Sequence, residues 1–314
     1  MWTTPVLTVT LNPAVDRTMT VPGFREGAIH RACEIRYTPG GKGINVSRIL
    51  RQLGTPSRVF ALAAGRIGLL LLDLLRREGL ELDFLFLDQG ETRINTTILN
   101  PHSGLETKIN EPGPWVPPDV VEELSQRIMA FTQVGTWVVF SGSLPPGVPE
   151  DLYARLIAQV RAREGYAALD TSGPPLRFGL EARPHLIKPN RAEAEELLGQ
   201  PVRDGRHAAL AARQLSRQWG CQVLLSIDRD GAVWSDGHEA WWARVPPVQI
   251  RQSVGAGDAL LGAFLHYRLH GFSPPEALRF AAALATAVTL SGEVAQFRKD
   301  DLESLLTEID LQFL

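Results

Sequence analysis

Two glycine-rich segments carry the residues best suited to chemistry. Near the C-terminus, Ser253-Val254-Gly255-Ala256-Gly257-Asp258-Ala259 runs into a stripe of Ala256, Ala259, Leu260, Ala263, Phe264 and Tyr267 at helical spacing. Glycines at such a point let backbone N–H groups converge on a helix N-terminus, whose unsatisfied donors and dipole attract an anion such as a phosphoryl group. Asp258 would lie in the first helical turn beside that anion, placed to accept a hydroxyl's proton as the hydroxyl attacks phosphorus. The same residues also fit a tight turn with a carboxylate that complements the helix dipole, and on this segment alone both readings stand.

The second segment, Pro39-Gly40-Gly41-Lys42-Gly43-Ile44-Asn45-Val46, is again a glycine turn feeding a helical pattern. It is not a Walker A loop, because Arg36 stands where the first glycine is required and Gly43 where Ser or Thr is required. Lys42 and Asn45 would set a point charge and a two-way hydrogen-bonder beside exposed backbone, although a compact turn explains the glycines as well. His266 and His270 stand four apart on the predicted C-terminal helix, a metal-ligand spacing, but no HExxH glutamate accompanies them and no metal site is assigned there.

Apolar runs alternating with helical periods must position these turns. Val6–Leu11 precedes Ile44–Leu53, Val59–Ala63 precedes Leu69–Leu75, and Trp137–Phe140 precedes Leu152–Val160. Ala167–Leu169, Leu186–Ile187, Ala192–Leu198, Ala208–Leu215 and Val223–Ile227 continue the series. Buried strand followed by amphipathic helix predicts an α/β fold, a parallel sheet covered by helices on both faces. Two stretches rich in β-branched residues break the rhythm: Val15–Val21 with Cys33–Tyr37, and Arg93–Leu99 with Thr107–Asn110. They predict a small lid sheet, over residues 15–37 and 92–111, inserted in one core domain spanning 1–314.

With 44% hydrophobic residues among 314, the chain can bury a large core. A net charge of -3 leaves no basic excess to follow a nucleic-acid backbone, so no nucleic-acid partner is expected. Cys33 and Cys221 make neither a disulfide framework nor a CxxC pair, which suits a reducing compartment, and both read as small buried hydrophobes. Met1-Trp2-Thr3-Thr4-Pro5 has no basic stretch and the apolar run Val59–Ala64 is soon cut by Arg66. No leader, no membrane span and a cytoplasmic location are therefore expected.

The two glycine blocks, in this order, resemble the PfkB family of ribokinase-like carbohydrate kinases, whose signatures are a Gly-Gly-x-Gly-x-Asn block and a later Gly-Ala-Gly-Asp block. The resemblance extends through Thr8-Val9-Thr10-Leu11-Asn12-Pro13-Ala14-Val15-Asp16, Glu91-Thr92-Arg93-Ile94-Asn95, Asn110-Glu111-Pro112-Gly113-Pro114, Ser141-Gly142-Ser143-Leu144-Pro145-Pro146-Gly147, Leu169-Asp170-Thr171-Ser172-Gly173 and Lys188-Pro189-Asn190-Arg191-Ala192-Glu193. These blocks are most similar to the branch of 1-phosphofructokinases, tagatose-6-phosphate kinases and minor 6-phosphofructokinases. The resemblance implies a three-layer α/β/α core with a β-sheet lid, ATP and Mg2+, and phosphorylation of a ketohexose phosphate, foremost fructose 1-phosphate to fructose 1,6-bisphosphate.

Carried over residue by residue, the resemblance makes Asp258 the catalytic base and Gly255, Ala256 and Gly257 the anion hole. Asp16, Gly40, Gly41 and Asn45 would hold sugar hydroxyls, Lys42 and Arg93 the phosphate already on the sugar, and Ser141 a further substrate contact. Lys188, Asn190, Glu193, Ser226 and Gly231 would serve ATP, with Glu193 reaching Mg2+ through water. By residue type alone, Arg93 reads as a solvated strand-edge charge, Ser141 as a turn-former, and Asn190 with Glu193 as a helix cap. The unpaired lid edges would invite a second copy, giving a homodimer.

Three departures qualify the carry-over. The branch's Ser-Leu-Gly-x-x-Gly turn reads Ser226-Ile227-Asp228-Arg229-Asp230-Gly231 here, so Asp228 puts a side chain and a charge where glycine lets backbone approach ATP phosphates. Ala64 replaces a common glycine, and Ser291-Gly292-Glu293-Val294 departs from a late Gly-Thr segment. A non-catalytic sugar-phosphate sensor, and a kinase of unphosphorylated sugars or nucleosides, are the alternatives.

Overall fold

The computed structural model describes residues 6–314; the reading of Met1–Pro5 as lacking a leader lies outside them. β1 (Val6–Thr10) leads through β2 (Ala14–Thr20) and β3 (Glu34–Gly40) to the glycine turn that opens α1 (Lys42–Gln52). β4 (Ser57–Ala64), α2 (Gly65–Arg77) and β5 (Glu81–Leu87) follow, then the hairpin of β6 (Arg93–Asn100) and β7 (Leu105–Ile109). The middle of the chain alternates: α3 (Pro118–Phe131), β8 (Trp137–Ser141), α4 (Leu152–Ala162), β9 (Tyr166–Asp170), α5 (Pro174–Glu181), β10 (Leu186–Ile187), α6 (Arg191–Leu198), α7 (Gly205–Trp219) and β11 (Gln222–Ser226). β12 (Ala232–Ser235), β13 (Ala240–Arg244), α8 (Ala256–Leu269), α9 (Pro274–Ser291), α10 (Lys299–Glu308) and β14 (Asp310–Phe313) complete it.

Among the described residues, ten strands form the main sheet in the order β14-β13-β12-β11-β10-β9-β8-β1-β4-β5. Its apolar runs serve two faces at once. Leu7, Val138 and Leu225 point into a cluster with α3, α4, α5 and α7, whereas Val6, Val139 and Leu224 join α1, α8, α9 and α10 on the other side. The sheet is parallel only from β5 to β11; β12, β13 and β14 add an antiparallel edge, so the all-parallel expectation is corrected there. The reason is local: β11 turns tightly through Asp228–Asp230 into β12, which leaves no room for a crossover helix. Cys33 is also corrected, being exposed on the approach to β3, while Cys221 is buried as expected.

The segments expected to form a lid make a separate four-stranded sheet in the order β3-β2-β6-β7. Its register places Ala14 opposite Arg93 and Asp16 opposite Asn95, aligning the polar residues of two distant sequence segments. In the main sheet, β1 connects towards β4 while its neighbour β8 connects towards β9, so strand order reverses between them. The carboxyl ends beside such a reversal form a natural crevice. Among the described residues, no helix is long and apolar enough to cross a membrane.

Candidate active site

Asp258 occupies the first turn of α8, is 7% exposed, and accepts a hydrogen bond from Asn45 Nδ2 at 2.8 Å. Gly255 caps that helix with φ +85°, a left-handed conformation costly for any residue with a Cβ. The first hydrogen bond of the helix runs from Ala259 N–H to the Gly255 carbonyl, so the helix leaves the Gly257 and Asp258 N–H groups without an internal partner. Beside them, a Cβ on Gly257 would lie 3.3 Å from Lys188 Nζ, so a side chain there would press on that ammonium.

One residue that motif reading left without a role organises the cations. Asp170, at the end of β9, is 1% exposed, and its Oδ1 binds Lys42 Nζ at 2.9 Å and Lys188 Nζ at 3.4 Å. Its Oδ2 is buried without a partner. Next to it in register stands Ser141, whose hydroxyl is likewise buried and unpartnered. Unsatisfied buried oxygens beside two ammonium groups mark a place where a polar ligand would complete the bonding. The sequence signal for Asp170 was a carboxylate ending the apolar run Tyr166–Leu169, but only the strand order shows which lysines it meets.

The charges perturb one another in a consistent direction. Burial pushes the Asp258 carboxyl up to about 6, with the Asp170 charge adding to it and the Asn45 hydrogen bond, Lys42 and Lys188 opposing. Burial alone would lower the Lys42 ammonium, but Asp170 more than reverses this and holds it above its ordinary value. A carboxyl poised near neutrality next to an anion-binding turn is the arrangement that proton abstraction from a hydroxyl requires.

A second polar group lies on the four-stranded sheet. Asp16 accepts from Asn95 Nδ2 at 3.1 Å, and a Cβ on Gly40 would collide with its carboxylate, so Gly40 is what admits that side chain. Burial raises the Asp16 carboxyl, with Asn95 and Arg93 opposing. Arg93 is not a solvated edge charge. It donates to the Asn12 carbonyl at 2.8 Å and the Glu111 carbonyl at 3.2 Å, and its Nε is buried without a partner. Asn12, unremarked in the sequence beyond its motif, donates to Pro112 O and Ser143 Oγ, and with Arg93 it lines a hollow of about 520 Å³. Lys42 and Arg93 share no hydrogen-bond partner: the first binds Asp170, the second the Asn12 and Glu111 carbonyls.

Of the five residues expected to serve ATP, Ser226 and Gly231 line a cavity of about 550 Å³ together with Ala256, Gly257, Ala282 and Thr286 among others, whereas Lys188, Asn190 and Glu193 are not in its wall. Helix α9 thus contributes its small residues to a wall as well as to the core. Asp228 has φ +52° and its carboxylate pairs with Arg191 Nε at 3.2 Å, while Arg191 Nη2 reaches Asp230 at 2.7 Å. The charge that replaces the expected glycine is therefore partly neutralised. Asn190 and Glu193 form a capping box on α6, with N–H to carboxylate and N–H to amide bonds of 2.8 and 2.9 Å, and Asn190 is bridged to Ser226. His266 bonds Thr55 Oγ1 at 2.6 Å and packs at tilted angles against the rings of Tyr267, His270 and Phe280.

The family model described as pfkB family carbohydrate kinase matches residues 9–300. The chain is 32% identical over 304 residues to a 1-phosphofructokinase of Bacillus subtilis (strain 168), covering 97% of this chain and 98% of that protein. A D-tagatose-1-phosphate kinase of Klebsiella oxytoca is 31% identical with the same coverage. Phosphofructokinase-2 from Escherichia coli, solved in complex with fructose-6-phosphate, superimposes with a TM-score of 0.89 at 27% identity, covering 97% of this chain and 98% of the other.

Proposed function

The chain belongs to the pfkB family of carbohydrate kinases, and from that premise we propose that it is a 1-phosphofructokinase, transferring a phosphoryl group from ATP to the 6-hydroxyl of fructose 1-phosphate. The observation that carries the chemistry is Asp258, a buried carboxyl raised to about 6, sharing the first turn of α8 with free backbone donors. Asp258 takes the hydroxyl proton as the oxygen's lone pair attacks the terminal phosphorus; the bond to the bridging oxygen breaks with its electron pair leaving on ADP. Gly257 and Asp258 N–H groups, with Lys188 and Lys42 held on Asp170, receive the charge that develops on the transferring group.

Asp16 and Asn45 bind sugar hydroxyls, Gly41 lets the chain turn between them, and Ser141 offers its hydroxyl. Arg93 and the hollow beside it take the sugar's own phosphate, for which a planar guanidinium is well suited. Lys42, carried on Asp170, serves the transferring phosphoryl instead. The cavity between β11–β13 and α8–α9 takes the nucleotide. Mg2+ fits the donor set only through water and phosphate, since the cap engages one of the two Glu193 oxygens and no cluster of three or more His, Cys, Asp or Glu stands ready among the described residues. Bound there, it would neutralise charge on the donor phosphates.

We further read residues 1–314 as one kinase domain whose four-stranded sheet is a lid. The exposed strand β7 and the free edge of β3 support pairing with a second copy, and ATP and sugar phosphates support a cytoplasmic location. Coupled ADP release with Mg-ATP against fructose 1-phosphate, D-tagatose 1-phosphate, fructose 6-phosphate and fructose tests the reading. The highest kcat/KM on fructose 1-phosphate is expected; preference for unphosphorylated fructose would reject the phosphate assignment to Arg93. Light scattering tests the dimer, and a monomer at working concentration rejects it.

A further inference from the structure

Behind Asn45 lies a charge that none of the sugar, base or phosphate assignments uses. Arg48, one turn further along α1, is 6% exposed. A guanidinium this buried is stable only when its donors are met, and its partners come from three elements. Nε donates to Glu78 Oε2 at the end of α2 at 2.6 Å, and Nη1 donates to the Val294 carbonyl at 2.9 Å and to Asn45 Oδ1 at 3.5 Å. Gln52, one more turn on, donates to the Ala295 carbonyl at 2.8 Å. Val294 and Ala295 are the residues a Cβ on Gly255 would touch, at 3.1 and 3.2 Å. The Arg48 charge also favours the ionised form of Asp16.

Resting on the assignment of Asp258 as base, we propose that Arg48 is a positioning residue for phosphoryl transfer. Its guanidinium holds the Asn45 amide with Nδ2 towards Asp258 and holds the 294–295 segment against the Gly255 turn, so one side chain aligns the acceptor and donor halves of the site. An amide has one donor face and one acceptor face, and only the donor suits an ionised carboxylate. Without the Arg48 donor, Asn45 Oδ1 is free to turn towards Asp258 and favour the protonated acid. The other charges around Asp258 remain: Asp170 from β9 favours the acid, while Lys42 from α1 and Lys188 after β10 favour the carboxylate.

Initial rates with Mg-ATP and fructose 1-phosphate across pH 5 to 9, for wild type, Arg48→Met, Arg48→Lys and Asp258→Asn, test this. For Arg48→Met the acidic limb of kcat/KM is expected to move up by about one pH unit, roughly a tenfold loss at a pH below both limbs that recovers at high pH. Arg48→Lys, which keeps the charge but not the fork, should fall between. In an Asn45→Ala background the cost of Arg48→Lys should largely disappear, as expected for residues acting through one another. An unmoved acidic limb, a loss equal at every pH, full additivity with Asn45→Ala, or failure of both Arg48 variants to fold overturns the proposal. Retained activity in Asp258→Asn would instead sink the base assignment; inactivity there with wild-type behaviour of the Arg48 variants sinks only this inference.

Discussion

Two glycine turns open two helices that pack on each other, α1 and α8, yet the charged residues of their first turns oppose each other electrostatically. Helix α8 carries a carboxylate, Asp258, in its first turn, the sign its dipole favours, but that carboxylate is buried beside Asp170 and raised to about 6. Helix α1 begins with Lys42, the sign its dipole disfavours, with no acidic residue in the first turn, and a carboxylate from β9 compensates from across the crevice. Each helix start breaks a local stability rule, and the two violations meet at one place. Locally unfavourable choices of this kind concentrate at functional sites. The comparison teaches that Asp170 is the hinge of the electrostatics, since it holds the α1 cation and perturbs the α8 acid.

Breaking the α8 turn should have the largest effect. Gly257→Val would press on Lys188 and crowd the free N–H groups, and kcat is expected to fall by about a hundred- to a thousandfold, the cost of a lost oxyanion donor. Steady-state kinetics would show it, with circular dichroism confirming the fold. Breaking the α1 turn at its charge should cost less. Lys42→Met removes one charged hydrogen bond, worth roughly 1.5–3 kcal/mol, so kcat/KM should drop about ten- to a hundredfold.

The pH dependence sharpens the same contrast. The proposed base, Asp258, works ionised, so kcat/KM should be retained above pH about 6 and lost as pH falls through it. Asp170→Asn removes the negative neighbour and frees both lysines, each of which favours the ionised base, so the acidic limb should move below that value. The smallest effect is on stability. A carboxyl with a folded value above its unfolded 3.8 destabilises the fold increasingly as pH rises from 3.8 to about 6, and fully above it. Asp258→Asn should therefore raise Tm at pH 8 by roughly 2–4 °C and lose that advantage towards pH 4, which calorimetry would show.

The alternation of strand and helix, the segments of the second sheet and both glycine turns were legible because each rests on local pattern. Gly255 through Asp258 announced a helix start by small residues, and the β-branched segments around Asp16 and Arg93 announced a second sheet. What sequence could not carry were pairings across the sheet. Asp170 meets Lys188 because β9 pairs with β10, it meets Lys42 across 128 positions of chain at the start of α1, and Arg48 is covered only when the 294–295 segment returns to it. The antiparallel edge escaped because short strands such as β14 lack a periodic signature. Asp228 looked disruptive in sequence, but its partner Arg191 lies 37 positions away in the chain.

The most direct test of the central claim separates binding from chemistry in Asp258→Asn. Calorimetric titration with fructose 1-phosphate and with a non-hydrolysable ATP analogue, beside single-turnover rates, would read both on one protein. The account predicts affinities for both ligands within a few-fold of wild type and a chemical step slowed by about a hundred- to ten-thousandfold. A chemical step within tenfold of wild type would contradict it, because another group would then be taking the proton.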